Sequence, residues 1–583
     1  MFGCGQRSQI EIAQWVPFDE SAMLDSSANH PSARMRFRLV QSQVRDKNIM
    51  LQAISAQLKG FTHEQYMQLT PLILDQSIPV VQSHIESGAL TYEKLTQWFL
   101  YRIALFENSK DSMLNAVIAI NPDAVKEARE RDRLRGKQSK MQSVMQGNPG
   151  VHPIYGMPVL VKDNINVAGM PTTAGTHLLR NNVAPDAAII EQLKANGGIV
   201  LGKTNLSEWA NYLFTGGPNG FSAVGGQTLN FYGRGIFDTG GSSSGSGVAM
   251  AANLAMAAIG TETSGSILSP SAKSSLVGLK PTVGLLSTEG IVPLSGTLDT
   301  PGPMTRTVVD NAILLSAMGG GDILPEVLQN RVQAGSGEAN GNAGEANGNA
   351  GEANGNAGEA NGNAGESHMK NPLEGLRFGV NRAFLGDSLY RRAVAVIAEL
   401  GGAVVEFDPV KVNFDGFGTL LSADMKIDLP KYLEQYASSG DVTARSIEDI
   451  IAYNREDSLV RIPYGQAIFE GMARVSLSEQ EHNALKERLQ GEGRRFFETP
   501  MSLYDLDVIL SVDNFNASHA AAAHFPCLIV PMGFREMDAG LQAAGVAPQG
   551  QPTGLTLIAK PLQEQLLLKI AHTFARSFAA RHK

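Results

Sequence analysis

The chain has 583 residues, of which 43% are apolar and 18% charged, a balance that excludes a disordered chain and fits a folded globular one. With 48 Lys and Arg against 57 Asp and Glu, the net charge of −9 excludes the basic face that binding to a phosphate backbone requires. Two cysteines, Cys4 and Cys527, exclude a disulfide framework and a thiolate metal site, and no apolar run reaches the roughly 18 residues of a membrane span.

Residues 1–44 are polar and mixed, without a sustained period, and are expected to form a flexible N-terminal arm. Met1-Phe2-Gly3-Cys4 resembles the tail of a bacterial lipoprotein cleavage box, so the expectation is a cytoplasmic protein, or a lipid-anchored one outside the cytoplasm if Cys4 belongs to such a box. From Arg45 the texture turns helical: Ile49, Leu51, Ile54 and Leu58 keep a spacing of three to four, and further apolar-periodic runs cover Ile73–Ile85 and Tyr92–Phe106. Ala116–Ile120 has strand length. Asn121-Pro122 then predicts a helix start, because Asn can cap free N–H groups and Pro has none to leave unpaired. Strand-like runs at Pro158–Lys162 and Gly198–Lys203 flank a helical run at Ala187–Ala195, the alternation of an α/β sheet with parallel crossovers. Val248–Ile259 is apolar all round and predicts a buried helix.

Gly337–Ala364 consists of four tandem copies of Gly-Glu-Ala-Asn-Gly-Asn-Ala. The seven-residue period lacks apolar a and d positions, so it predicts a flexible spacer rather than a coiled coil. Strand texture resumes at Leu376–Val380. The expected organisation is therefore an arm (1–44), a first domain segment (45–333), a disordered spacer (334–370) and a second segment of the same domain (371–583).

Two small-residue loops stand out: Asp238–Gly247, read as DTGGSSSGSG, and Gly260–Ile267, read as GTETSGSI. A phosphate-binding loop would end in Gly-Lys-Ser/Thr, which is absent. Gly241–Gly245 matches a nucleophile elbow around Ser243, with His519, His524 and His572 available as bases, but such a match comes easily in a Gly/Ser run. A plain linker does not explain the apolar run and the second loop that follow at once. A third reading joins both loops to Lys162.

On that reading the chain resembles the amidase signature family of serine hydrolases, and among them the bacterial peptide amidases. The resemblance rests on PVLVKDNI at Pro158–Ile165, GKTNLSEWA at Gly202–Ala210, the two small-residue loops, GLKPTVG at Gly278–Gly284, DTPGPM at Asp299–Met304, Tyr464-Gly465-Gln466 and FPCLIVPMG at Phe525–Gly533. It implies an α/β fold of the amidase-signature kind: a single domain with a central mixed β-sheet covered by helices. It also implies a Ser–Ser–Lys triad, with Ser266 as nucleophile, Ser242 (after a cis peptide bond) as bridge and Lys162 as base, and an oxyanion hole from the N–H groups of Thr263, Ser264, Gly265 and Ser266. Ser243 and Ser244 are expected in support, and Gln227 and Asp299 as substrate-wall residues. Ser264 and Leu268 depart from the family's Gly-Gly-Ser-Ile-Arg; the first is expected to narrow the pocket floor, the second to remove a charge.

The chemistry is consistent with elementary physics. A Ser hydroxyl is a weak nucleophile until a base takes its proton, and a lysine is a base only when neutral. Burial at a strand end disfavours the ammonium form. Cys527 sits in an apolar run and reads as core. The implied activity is hydrolysis of a peptide C-terminal amide or other small acyl amide through an acyl-enzyme, with no metal or organic cofactor, no nucleic-acid partner and no transmembrane span. The alternatives are a glutamine amidotransferase subunit serving tRNA-dependent transamidation, and a non-catalytic binding protein on the same fold.

Overall fold

The computed structural model describes residues 10–142, 151–321, 371–438, 440–536 and 550–580. Cys4 and the repeat spacer lie outside the described residues. Among the described residues no helix is long and apolar enough to cross a membrane.

Eleven strands form one mixed sheet. In chain order the strands are β1 (Val117–Ile120), β2 (Pro158–Lys162), β3 (Ile199–Thr204), β4 (Phe221–Ser222), β5 (Gly226–Gln227), β6 (Ala257–Glu262), β7 (Val277–Lys280), β8 (Thr300–Thr305), β9 (Arg377–Asn381), β10 (Ala403–Phe407), β11 (Val508–Val512), β12 (Cys527–Arg535) and β13 (Gln551–Ile558). The sheet order is β1-β3-β2-β6-β8-β7-β12-β13-β11-β9-β10, while β4 and β5 pair separately. β2 lies between β3 and β6, parallel to both, and all five of its residues are buried. A strand covered on both faces reads as an unbroken apolar run, which is why Pro158–Lys162 was legible.

The two segments that flank the spacer share this sheet. β7, from the first, pairs antiparallel with β12, from the second, through Leu279↔Leu528. One apolar core runs across both, from Val40 through Val161 and Leu279 to Phe574. A second apolar cluster joins Leu178, Trp209 and Phe221 to Leu429, Tyr432 and Phe469, so that helices Phe417–Tyr436, Ile447–Glu456 and Ala467–Ala473 cover the end of the sheet where β2 and β6 stop.

Several local expectations hold, and others need correction. The helices at Lys47–Gln57 and Tyr92–Glu107 match their apolar periods, with Asp46 and Thr91 accepting at their N-termini. The run Ile73–Ile85 is not one helix. It divides into the end of His63–Ile73 and a new helix Ile78–Glu86, with Asp75 at φ +58° between them and Pro79 in the first turn of the second. Val248–Ile259 is likewise not one helix: a helix at Ser244–Ala251 stops and β6 begins at Ala257. Asn253 adopts φ +56°, and the bonds Asn253 N→Met250 O and Leu254 N→Ala249 O close a Schellman turn. An all-apolar run has no period to separate a buried helix from a buried strand, and Asn253 was the only punctuation.

Residues 10–44 are not a free arm. Met35, Phe37 and Val40 are buried in the core, and Arg38 N donates to Tyr464 Oη at 2.7 Å. The Tyr464 ring packs on Phe214 and Phe221, so this segment is tied to the covering helices. It holds a short helix, Ser21–Ala28, and one 3-10 turn, Ala33–Met35; the period is absent because the core residues Met35, Phe37 and Val40 lie beyond that helix.

Candidate active site

β2 ends on Lys162, which the sheet buries completely. Its Nζ lies 2.8 Å from Ser242 Oγ, 2.8 Å from Thr261 Oγ1 and 3.1 Å from Thr261 O. Asn164 Nδ2 donates to the same Thr261 Oγ1 at 3.0 Å. Burial pushes the Lys162 ammonium down to about 7, against the opposing pull of Asp299 and Glu262. No carboxylate oxygen makes an ion pair with it among the described residues.

Ser242 follows a cis peptide bond from Gly241, and its carbonyl accepts from Ser207 N. The helix that begins at Ser244 packs so closely that a Cβ on Gly245 would sit 2.4 Å from Asn205 O. Ser243 N donates to Ser266 O at 3.2 Å, which joins the two small-residue loops. The Ser243 hydroxyl is held by backbone on both sides, donating to Thr261 O at 3.1 Å and accepting from Thr261 N at 3.3 Å. Ser244 Oγ donates to Gly240 O at 2.6 Å. Both serine hydroxyls therefore brace the loop through its backbone. The geometry does not favour the elbow reading, because the Ser243 hydroxyl is spent on backbone and His519 is stacked between Phe414 and Phe496.

Ser266 opens on a cleft of about 430 Å³ with Thr263, Ser264, Arg34, Asn219, Asp238 and Asn514 among its walls. The turn before it needs Gly265, whose φ is +89° and whose Cβ would lie 2.8 Å from Asn514 Nδ2. Glu262 Oε2 accepts from Ile267 N at 2.7 Å and Leu268 N at 3.0 Å, which fixes the start of helix Leu268–Lys273 just beyond the serine. The N–H groups of Thr263, Ser264, Gly265 and Ser266 make no backbone hydrogen bond among the described residues, so all four expected donors are unspent. Ser264, one of the two departures from the family pattern, lines the cleft and shares a hydrogen bond with Ser518 Oγ at 2.9 Å. Leu268, the other, is buried beside Phe525 and Ala520.

Gln227 and Asp299 were expected on the substrate wall; Gln227 stands behind it, whereas Asp299, half-buried, lines a small recess with Thr261, Thr263 and Asn164 that adjoins the cleft. Gln227 is buried in β5 and donates to Asn219 O at 2.7 Å and Thr228 O at 2.9 Å. Asp299 accepts from Thr263 Oγ1, from Leu294 N at 2.8 Å and from Ser295 N at 2.9 Å. Burial pushes its carboxyl up to about 6, although the hydrogen bonds from Thr263, Ser295 and Leu294 and the nearby Lys162 oppose the rise. Both are polar side chains at the right end of the sheet, and nothing in the local sequence separates a wall from its backing. Cys527 is buried in β12, its thiol pushed up to about 12 by desolvation, and is core as expected.

Other residues around the site were missed. Thr261 and Asn164 lay inside motifs read for their neighbours. Arg34 and Asn514 come from distant parts of the chain, where no local signal marks them. Arg34 Nη1 donates to Asn219 Oδ1 at 2.6 Å, and Asn219 Nδ2 donates to both Asp238 carboxylate oxygens at 3.0 Å.

The family model named Amidase matches residues 94–335. A probable amidase of Arabidopsis thaliana is 30% identical over 522 residues, covering 87% of this chain and 91% of the relative. Among solved structures, an amidase family protein from Bacillus anthracis superposes with a TM-score of 0.74 at 32% identity, covering 92% of this chain and 98% of that one. The peptide amidase from Stenotrophomonas maltophilia gives 0.69 at 32%, covering 86% and 97%. Fold and site together define an enzyme that hydrolyses amides. The chain belongs to the amidase family.

Proposed function

We propose that Ser266 is the nucleophile, Ser242 the proton bridge and Lys162 the base, and that the substrate is a peptide C-terminal amide. The observation that carries the triad is the setting of Lys162 Nζ. A neutral amine has two N–H donors and one lone pair. The two donors suit Thr261 O and Thr261 Oγ1, which leaves the lone pair for the Ser242 hydroxyl at 2.8 Å. With the amine pushed down to about 7, this form is populated near neutrality.

In the proposed sequence Ser242 passes its proton to Lys162 and takes the proton of Ser266 as Ser266 Oγ attacks the amide carbon. The negative oxygen is received by N–H groups of the Thr263–Ser266 turn, each donor worth about 3 kcal/mol in the transition state. The relay then runs backwards, protonating the leaving nitrogen so that ammonia departs. Water repeats the cycle on the ester and releases the acid.

Two facts support a peptide acyl group. The peptide amidase from S. maltophilia shares the fold over nearly its whole length. Arg34 commits Nη1 to Asn219 and has no carboxylate partner among the described residues, which leaves guanidinium donors at the cleft for the carbonyl oxygens of a peptide.

The decisive experiment traps the acyl-enzyme with a slow ester and maps it by peptide mass spectrometry. Acylation at Ser266, none in Ser266→Ala and slow residual acylation in Ser242→Ala are expected; acylation mapped to Ser243 overturns the assignment. Ammonia release from peptide, fatty, aryl and glutamine amides tests the substrate class. Arg34→Ala should raise KM about ten-fold for peptide amides and leave aryl amides nearly unchanged. Equal loss on both would reject the role given to Arg34.

A further inference from the structure

A second cavity, of about 520 Å³, lies under residues 15–20 and shares no lining residue with the catalytic cleft. Its volume is within the usual range for sites that hold small molecules. Trp15, Phe18, Met50, Val117, Ile118 and Val224 supply an apolar lining. Trp15 and Phe18 meet edge to face, and Lys47 Nζ stands 4.5 Å from the Trp15 ring centroid.

The charged groups in this lining divide sharply. Glu20 is used up by Val40 N, Gln41 N and Gln41 Nε2. Asp46 caps the helix Lys47–Gln57 through Asn48 N and also accepts from Asn48 Nδ2. Asp19 accepts from Ser21 N and Oγ. Lys47 Nζ is tied to Glu107 Oε2 at 3.2 Å, Glu107 O at 3.0 Å and Asn115 Oδ1 at 3.0 Å. Arg45 is different: among the described residues its guanidinium has neither a hydrogen bond nor an ion pair. The carboxylate whose field reaches it is Asp163, and Asp163 is already committed to Lys203 at 2.9 Å. A half-buried guanidinium with no acceptor in the described chain leaves its five donors for an incoming anion.

We infer that this cavity is a second binding site, for a carboxylate with an apolar body. The acid group would pair with Arg45 in the forked geometry that guanidinium and carboxylate share, and the chain would lie along Trp15, Phe18 and Ile118. The site is independent of the triad and of the substrate class proposed above.

Trp15 provides a direct signal, since it lines the cavity and the other two tryptophans, Trp98 and Trp209, do not. The full-length protein is titrated with decanoate and, in parallel, with decanol, following tryptophan fluorescence and heat. Saturable binding of one decanoate per chain is expected, with decanol at least ten-fold weaker. Trp15→Phe should remove the fluorescence change and keep the heat. Arg45→Gln should weaken decanoate about ten-fold and leave decanol and amide turnover unchanged. Equal binding of decanoate and decanol by the unmodified protein, no saturation with decanoate, or full affinity in a folded Arg45→Gln protein would each overturn the inference. The comparison of the two ligands needs no variant, so it holds even if Arg45→Gln fails to fold.

Discussion

Two lysines end neighbouring parallel strands and meet opposite fates. Lys162 on β2 and Lys203 on β3 lie one register step apart, with Lys162 opposite Thr204 and Val161 opposite Lys203, and both are completely buried. Lys203 meets Asp163 at 2.9 Å and donates to Thr172 Oγ1 at 2.9 Å and Pro171 O at 3.2 Å. Lys162 meets two hydroxyls and a carbonyl instead. Burial lowers both ammonium groups, but a touching carboxylate opposes that for Lys203, whereas only more distant charges oppose it for Lys162. For Lys162 burial acts with no contacting carboxylate against it, which favours the neutral amine that a base requires.

The largest expected effect breaks this comparison directly. Lys162→Met should lower turnover by several orders of magnitude and keep the fold, as read by steady-state kinetics and circular dichroism. Lys203→Met should do the reverse. It strands Asp163 without its partner and should cost about 3–5 kcal/mol of stability in denaturant titration, while molecules that stay folded keep turnover within a few fold. Equivalent losses of turnover in the two variants would erase the distinction.

The pH profile sharpens it. With Lys162 pushed down to about 7, kcat/KM should fall roughly ten-fold per pH unit below 7 and level off above it. The same shift bears on stability. Between about pH 7 and the ordinary lysine range the unfolded chain binds a proton that the folded chain does not, so this group's contribution rises with pH there. Lys162→Met should accordingly raise Tm at pH 7 and lose that advantage toward pH 10, measurable by calorimetry across the range. A smaller effect is expected from Asp299→Asn. Loss of the negative charge removes support for the protonated amine, so the acid limb should move to lower pH, with turnover reduced about ten-fold because one amide oxygen cannot serve both Thr263 Oγ1 and the Leu294 and Ser295 N–H groups. An unmoved limb would show that Asp299 does not influence Lys162. The smallest effect belongs to deletion of Gly337–Ala364. A segment with no apolar side chain larger than alanine contributes little burial, and loop length enters only logarithmically, so Tm and kcat/KM should stay close to their original values.

How much of this was legible follows the same physics. Lys162 could be placed at the end of a strand because Pro158–Val161 is uniformly apolar and the strand is covered on both faces. The two small-residue loops announced themselves through composition, and the structure joins them through Ser243 N and Ser266 O. The run Val248–Ile259 defeated periodicity because both the helix and β6 are buried all round. Gln227 was drawn toward the right end of the sheet but one layer too far forward, since depth behind a wall is a tertiary property. Arg34 and Asn514 reach the cleft from about 230 residues before and 250 residues after Ser266, a distance over which no local pattern speaks.

The seam between β7 and β12 has a consequence for how the protein is made. Lys162, Ser242 and Ser266 have all been synthesised before β7 finds its partner, because that partner does not begin until Cys527. At ~5–20 residues per second the interval lasts on the order of 10–50 s. For that time the nascent chain carries β7 with one row of backbone N–H and C=O groups unpaired, in a strand whose four residues are all buried in the finished molecule. An open apolar edge of this kind is a template for pairing with another chain. The nascent chain is thus exposed to aggregation during this interval, and factors that shield nascent chains should raise its yield.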